Sequence, residues 1–142
     1  MAMGLTWDEI CSWALQVGID VVGVAPAGPV PAWNRFQDWL SAGYAEGMPY
    51  LAREEAVARR QDPRRILPEA RSVLVAGVSI GGGAAPRLPE LHGRVARYAW
   101  RGDYHVWLLE RLEPLVGRVA GAAGGAVQTR CYVDTGPVLE RA

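Results

Sequence analysis

Near the start of the chain, apolar side chains recur with the period of a helix. Ile10, Trp13, Ala14 and Val17 fall at i, i+3, i+4 and i+7, the stripe of an amphipathic helix. Thr6-Trp7-Asp8-Glu9 precedes that stripe as a capping box, in which the Thr6 hydroxyl takes the Glu9 backbone N–H and the Glu9 carboxylate reaches back. Gly18 supplies the left-handed residue that ends such a helix. The period then changes, and a short valine-rich run predicts a buried strand over 20–24. A connection stiffened by Pro26, Pro29 and Pro31 leads to a second helix over 33–40, with Trp33, Phe36 and Leu40 turned inward and Gly43 closing it.

Over 44–71, glycines, prolines and charges break the pattern into short helical pieces, with Asp62-Pro63 as a cap and first helical position. Residues 72–80 form a β-branched run with little polarity, the pattern of a central strand covered on both faces. Gly81-Gly82-Gly83 and a loop over 84–94 follow. Asp103 then caps a long helix whose core face is Leu108, Leu109, Leu112, Leu115, Val116 and Val119. Pro114 is expected to kink it, and the glycine and alanine stretch over 121–126 to end it. A last strand over 127–133 carries Asp134 at its tip, and Thr135-Gly136-Pro137 reads as the start of another helix.

This alternation predicts an α+β fold, a mixed sheet with some parallel pairing and flanking helices, in a single domain over 1–142. A chain of 142 residues, 50% of them apolar, is long enough for one core. The last predicted helix begins where the sequence stops, so the expectation is the front part of something longer. Charge balances at 15 basic and 15 acidic residues, which removes any global argument for a nucleic-acid or membrane partner. Every basic residue is arginine, a bias of composition that carries no functional weight. Cys11 and Cys131 lack a C-x-x-C motif and a histidine at ligand spacing, so they read as buried thiols rather than zinc or iron–sulfur ligands. No basic-then-apolar leader opens the chain, and no run approaches the ~18 apolar residues of a membrane span, which places the protein in the cytoplasm.

Two features suggest phosphate. Arg59, Arg60, Arg64, Arg65 and Arg71 cluster where guanidinium forks would match RNA phosphates, although a solvated face paired with Glu54, Glu55 and Glu69 is the plainer reading. A glycine-rich turn after a strand can cradle a dinucleotide phosphate, but the sequence after Gly83 does not continue as the required helix. The six tryptophans are spread along predicted core faces and read as core, not as a platform for stacking bases.

The closing stretch Val133-Asp134-Thr135-Gly136-Pro137-Val138-Leu139-Glu140-Arg141 resembles a block of the epoxyqueuosine reductases, the cobalamin and iron–sulfur enzymes that complete queuosine in transfer RNA. Three further blocks are similar and in the same order. They are Gly18-Ile19-Asp20-Val21-Val22-Gly23-Val24-Ala25, then Gly47-Met48-Pro49-Tyr50-Leu51-Ala52-Arg53, then Ala96-Arg97-Tyr98-Ala99 with Arg101-Gly102-Asp103-Tyr104-His105. The resemblance covers the family's N-terminal portion. It implies an incomplete nitroreductase-like cobalamin-binding domain, with Arg53, Arg97, Tyr98 and Asp134 near the corrin.

The implied reaction opens an epoxide at low-valent cobalt while an acid protonates the developing oxyanion, the role the resemblance gives to Asp134. A carboxylic acid serves there when desolvation keeps it protonated. Asp103-x-His105 does not complete the D-x-H-x-x-G motif by which a histidine ligates cobalt in another cobalamin family, because Leu108 stands at the glycine position. His105 is therefore expected to orient a neighbour or to pack. The family's [4Fe-4S] clusters have no ligands in this chain, so a separate iron–sulfur domain or chain is expected as partner, with tRNA as substrate. Two alternatives stand beside this reading: a non-catalytic remnant or interaction domain of the same fold, and a flavin-dependent nitroreductase-like protein.

Overall fold

The computed structural model of the chain describes residues 4–81, 92–124 and 127–139. Along these residues run α1 (Trp7–Gln16), β1 (Val21–Pro26), α2 (Trp33–Ser41), α3 (Glu54–Gln61), β2 (Ser72–Gly77) and α4 (Tyr104–Ala122), an α+β arrangement. Short 3₁₀ helices stand at Pro49–Leu51, Pro63–Arg65 and Arg97–Arg101. No helix among the described residues is long and apolar enough to cross a membrane.

Local chemistry sets both ends of α1 and the end of α2, whereas α2 and α3 begin without a side-chain cap. The capping box of α1 is complete: the Glu9 N–H donates to the Thr6 hydroxyl, and the Thr6 N–H donates to the Glu9 carboxylate at 2.9 Å. At the other end Gly18 takes φ +79°, its N–H donates to Leu15 O, and the Ile19 N–H donates to Ala14 O. These two bonds are the paired closure of a Schellman motif, and Ala14 and Ile19, the positions whose apolar contact accompanies the motif, are 2% and 1% exposed. The end of α2 repeats the device. Gly43 N–H reaches Leu40 O, Tyr44 N–H reaches Trp39 O, and the Trp39 and Tyr44 rings meet with centroids 6.4 Å apart.

The strands depart from expectation in three ways. The sheet is antiparallel and two-stranded among the described residues, not mixed: the Asp20 N–H donates to Gly77 O at one end, and the Ala27 N–H to Arg71 O at the other. Alternation of strands and helices along a sequence leaves strand direction open, and the ladder decides it. Neither strand is covered on both faces, since Val24 and Val75 are each 60% exposed. The run over 72–80 also leaves the ladder at Gly77, because the next available N–H, that of Ser79, donates to the Asp20 carboxylate instead. Finally, no strand forms over 127–133 and no helix over 137–139. The chain turns back on itself there, with the Thr135 N–H bonded to Val133 O.

The chain divides into two compact units. The first comprises Met1–Val22 and Ala76–Gly125. In it α1 packs on α4, and Ala14, Ile19 and Leu115 are fully buried, each large side chain contributing about 1.5–3 kcal/mol. Arg118 reaches across to the Gln16 side-chain carbonyl at 2.6 Å. Pro114 lies inside a continuous α4, which ends at Ala122 ahead of Gly124 at φ +72°.

The second unit comprises Gly23–Val75 and Ala126–Ala142. Along α2 the Trp33 ring meets Phe36 at a tilt, with centroids 5.8 Å apart, and Phe36 stacks on Trp39 at 6.1 Å. The Val30 N–H ties the connection before α2 to Gln61 O at the end of α3. Asp62 caps the 3₁₀ turn after it, accepting the Arg64 N–H. Val133 is buried here. Trp13, Trp33, Trp39 and Trp107 are half-buried, but Trp7 and Trp100 are exposed, so the core reading of the tryptophans fails at those two.

Candidate functional site

In the first unit a cleft of about 230 Å³ opens between the chain leaving β2, Ala76 to Ile80, and a wall made by Arg97, Tyr98, Tyr104, Trp107 and Leu108. Each wall follows from a local feature of the sequence. On one side the strand stops at Gly77, and the next residues are held by side-chain bonds in place of a ladder. The Asp20 carboxylate accepts the Ser79 N–H at 2.6 Å, and the Ser79 hydroxyl accepts the Gly81 N–H at 3.3 Å.

On the other side Asp103 caps α4. Its carboxylate accepts the His105 N–H at 2.9 Å and lies 2.8 Å from His105 Nδ1. Tyr104 thereby becomes the first residue of α4, and Tyr104, Trp107 and Leu108 fall at i, i+3 and i+4 on one face, which is the face that lines the cleft. Tyr98 meets Tyr104 edge-on at 5.3 Å, and His105 stacks on Tyr104 at 4.1 Å. The His105 side chain, then its backbone N–H, hold the Asp103 carboxyl below the usual carboxylate range. The Arg97 guanidinium lies 5.9 Å from the Trp100 ring. The cleft thus presents one guanidinium, two phenols and a hydroxyl against aromatic and aliphatic walls. Such a set recognises an apolar body carrying an amide or phosphate oxygen, because the guanidinium donates in a planar fork.

The residues expected at the site divide between the units. Arg97 and Tyr98 line the cleft in the first. Arg53 and Asp134 belong to the second. Arg53 is exposed at the N-cap of α3, and Asp134 is exposed with φ +58°. The bond from the Thr135 N–H to Val133 O, 2.6 Å, closes a three-residue γ-turn centred on Asp134, and the positive φ makes it the rarer, more strained form. Asp134 therefore sits in a tight turn rather than at a strand tip, and its shielding from water is not present in this structure. Gly136 belongs to the same turn: a Cβ there would lie 2.6 Å from the Tyr132 side chain.

Three arginines of the cluster, Arg59, Arg60 and Arg64, have side-chain partners within the second unit. Arg59 pairs with Glu55, Arg64 grips the Asp62 carboxylate with its Nε and Nη2, and Arg60 donates to Ala56 O. Asp62, rather than Glu54 or Glu69, is the second acidic partner. The hydrogen bond from the Arg64 side chain holds the Asp62 carboxyl below its ordinary value. Cys11 and Cys131 are half-buried thiols, and among the described residues no group of three or more potential metal ligands gathers. Gly82, Gly83 and residues 84–91 lie outside the described residues.

Sequence reasoning missed Asp20, Ser79, Tyr104 and Trp107. Tyr104 and Trp107 carried a usable signal, helical spacing directly after a capping aspartate. Asp20 and Ser79 are 59 residues apart and carried none.

Comparison with known proteins bears on the same residues. The family described as Epoxyqueuosine reductase QueG, DUF1730, matches residues 60–135, more than half of the chain. The epoxyqueuosine reductase of Synechocystis sp. is 35% identical over 124 residues, covering 85% of this chain and 41% of that protein. That of Gloeobacter violaceus is 34% identical over 142 residues, 99% of this chain and 43% of the relative. That of Staphylococcus aureus is 29% identical over 139 residues, 95% and 36% respectively. The chain thus spans about two fifths of the length of the curated relatives it matches. No solved structure matches it. With the matched segment running from α3 through the cleft wall at Arg97 and Tyr98 to the turn at Asp134, the chain belongs to the epoxyqueuosine reductase QueG family.

Proposed function

We propose that this chain is the cobalamin-binding portion of an epoxyqueuosine reductase, a cytoplasmic oxidoreductase that converts epoxyqueuosine to queuosine in tRNA. The observation that carries this reading is the single family match that takes in Arg97, Tyr98 and Asp134 together. On this reading the fold is part of a nitroreductase-like domain, with [4Fe-4S] clusters on another part of the protein or on a separate chain.

The cleft suits the rim of a corrin. Its Arg97 guanidinium, Tyr98 phenol and Ser79 hydroxyl are the donors that peripheral carboxamide or phosphate oxygens need. Its volume of about 230 Å³ admits an arm of the group and not the ring. When bound, cobalamin supplies a strongly reducing cobalt for opening the strained epoxide. Arg97 and Tyr98 would anchor the group at this edge, and exposed Arg53 offers a second guanidinium. Asp134 would hold the proton that neutralises the epoxide oxygen as the ring opens, a positioned acid worth about 10²–10⁴ in rate. Asp134 is exposed in this chain, so that role requires cover that the described residues do not supply.

Titration of the purified chain with hydroxocobalamin, followed by ultraviolet–visible absorption and gel filtration, tests the assignment. Retention of cobalamin with a shifted spectrum, weakened about ten-fold or more in Arg97→Ala, is the expected result, since a lost charged hydrogen bond costs roughly 1.5–3 kcal/mol. Absence of any spectral change at micromolar protein would overturn the corrin reading and leave an interaction domain. A yellow, flavin-bearing preparation would point instead to nitroreductase-like chemistry.

A further inference from the structure

We infer that Asp20 is a positioning residue for the cleft: its carboxylate latches the Ser79 backbone and so preforms the wall against which a ligand of Arg97 and Tyr98 must seat. The part that concerns cobalamin rests on the function proposed above. The latch itself rests only on geometry.

Asp20 stands immediately before β1 and engages the chain beyond β2 twice. Its N–H donates to Gly77 O at 3.0 Å, the last bond of the ladder, and its side chain accepts the Ser79 N–H at 2.6 Å. Between those two bonds lies Val78, and both Val78 and Ser79 line the cleft. The Ser79 hydroxyl passes the restraint on by accepting the Gly81 N–H at 3.3 Å. Gly81, at φ +84°, approaches Arg97 closely enough that a Cβ on it would lie 3.6 Å from the guanidinium. One carboxylate therefore restrains the chain beyond the sheet directly at Ser79 and, through the Ser79 hydroxyl, at Gly81, which faces the anchoring arginine.

A flexible wall would have to be ordered when ligand binds, and that cost would weaken binding; a wall ordered in advance avoids it. A carboxylate is suited to the task because charge-assisted bonds to backbone N–H groups are short and strong. Asparagine retains one acceptor oxygen of the same reach, whereas alanine retains none.

The test compares the full chain with Asp20→Ala, Asp20→Asn and, as a control in the same unit but away from the cleft, Thr6→Ala. Amide hydrogen exchange at Ser79 and Gly81 is measured alongside hydroxocobalamin affinity. In Asp20→Ala both amides are expected to exchange about ten-fold faster or more and affinity to fall about ten-fold, with Asp20→Asn restoring a large part of both. Thr6→Ala should lower the unfolding midpoint without moving either readout. Unchanged exchange at Ser79 in Asp20→Ala would overturn the latch, and faster exchange with unchanged affinity would overturn its positioning role. If the wild-type chain takes up no cobalamin, the corrin reading is what has failed, and the exchange rates still decide the latch in either direction.

Discussion

Asp134 combines a functional expectation with a conformational cost. It is the non-glycine residue with positive φ among the described residues, at +58°. An L-residue held there gives up roughly 1–2 kcal/mol, less for aspartate, whose short polar side chain tolerates the region. Backbone strain of this kind gathers at functional sites, where the surrounding structure over-determines it. Here the restraint is visible: Tyr132 lies across Gly136 where no Cβ would fit, and the Thr135 N–H closes the γ-turn. Three substitutions separate shape from chemistry. Asp134→Gly relieves the backbone and is expected to leave the melting temperature equal or higher. Asp134→Asn keeps the tolerance for the turn, and Asp134→Ala loses it and is expected to cost about 1 kcal/mol. All three remove the carboxyl, so under the function proposed above epoxyqueuosine reduction by the complete enzyme should fall by about 10²-fold or more in each. Activity that followed stability across the three, or survived in Asp134→Asn, would rule out proton donation by this residue.

At the scale of elements, the helix ends that could be read in advance, both ends of α1, the end of α2 and the start of α4, are set by interactions within five residues. Thr6 and Glu9 bond each other three positions apart, and the closures at Gly18 and Gly43 are made by bonds between residues three and five positions apart. Removing the cap in Thr6→Ala should cost about 1 kcal/mol, measured as a shift in the denaturant midpoint. The same cap gives a pH dependence. The Thr6 backbone N–H, then its hydroxyl, hold the Glu9 carboxyl below its usual range. A depressed carboxylate adds stability that is fully present above the unfolded value, about 4.3, and is lost as pH falls through the lower folded value. Wild type should therefore lose helicity by circular dichroism in that acid window, and Glu9→Gln should show a smaller change across it. The strands were less legible, since a run of β-branched residues announces a strand without naming its partner. The run over 72–80 looked central because it is apolar, yet its end is decided by Asp20, a residue the sequence places 59 positions from Ser79. Likewise 127–133 has strand composition and forms no strand, although β1 and β2 each keep an open edge among the described residues. The site divides along the same line. Arg97 and Tyr98 were legible as a local block, and the residues that hold the opposite wall were not, because their contacts are long-range.

For the molecule as a whole, what the two strands leave uncovered matters most. A two-stranded sheet is marginal in water without further strands or a packed face. Val24 and Val75 remain 60% exposed in the second unit, where Tyr44 at 66% and Tyr50 at 52% are exposed as well. Exposed strands with apolar side chains invite pairing with other chains, a hazard that proteins ordinarily blunt with charge or cover. The isolated chain is therefore expected to enhance the fluorescence of a hydrophobic dye such as ANS and to self-associate with rising concentration in sedimentation velocity. Placing a charge on one strand and a hydroxyl on the other, in Val24→Lys with Val75→Thr, should reduce both signals. Stability should change by no more than about 0.5 kcal/mol, because neither side chain is buried and threonine keeps the β-branched shape a strand favours. A wild-type chain that stays monomeric and dye-silent at tens of micromolar would mean that these valines are covered in solution. A double variant that unfolds would mean that they bear on the core, and in either case the sheet would be more complete than two exposed strands allow.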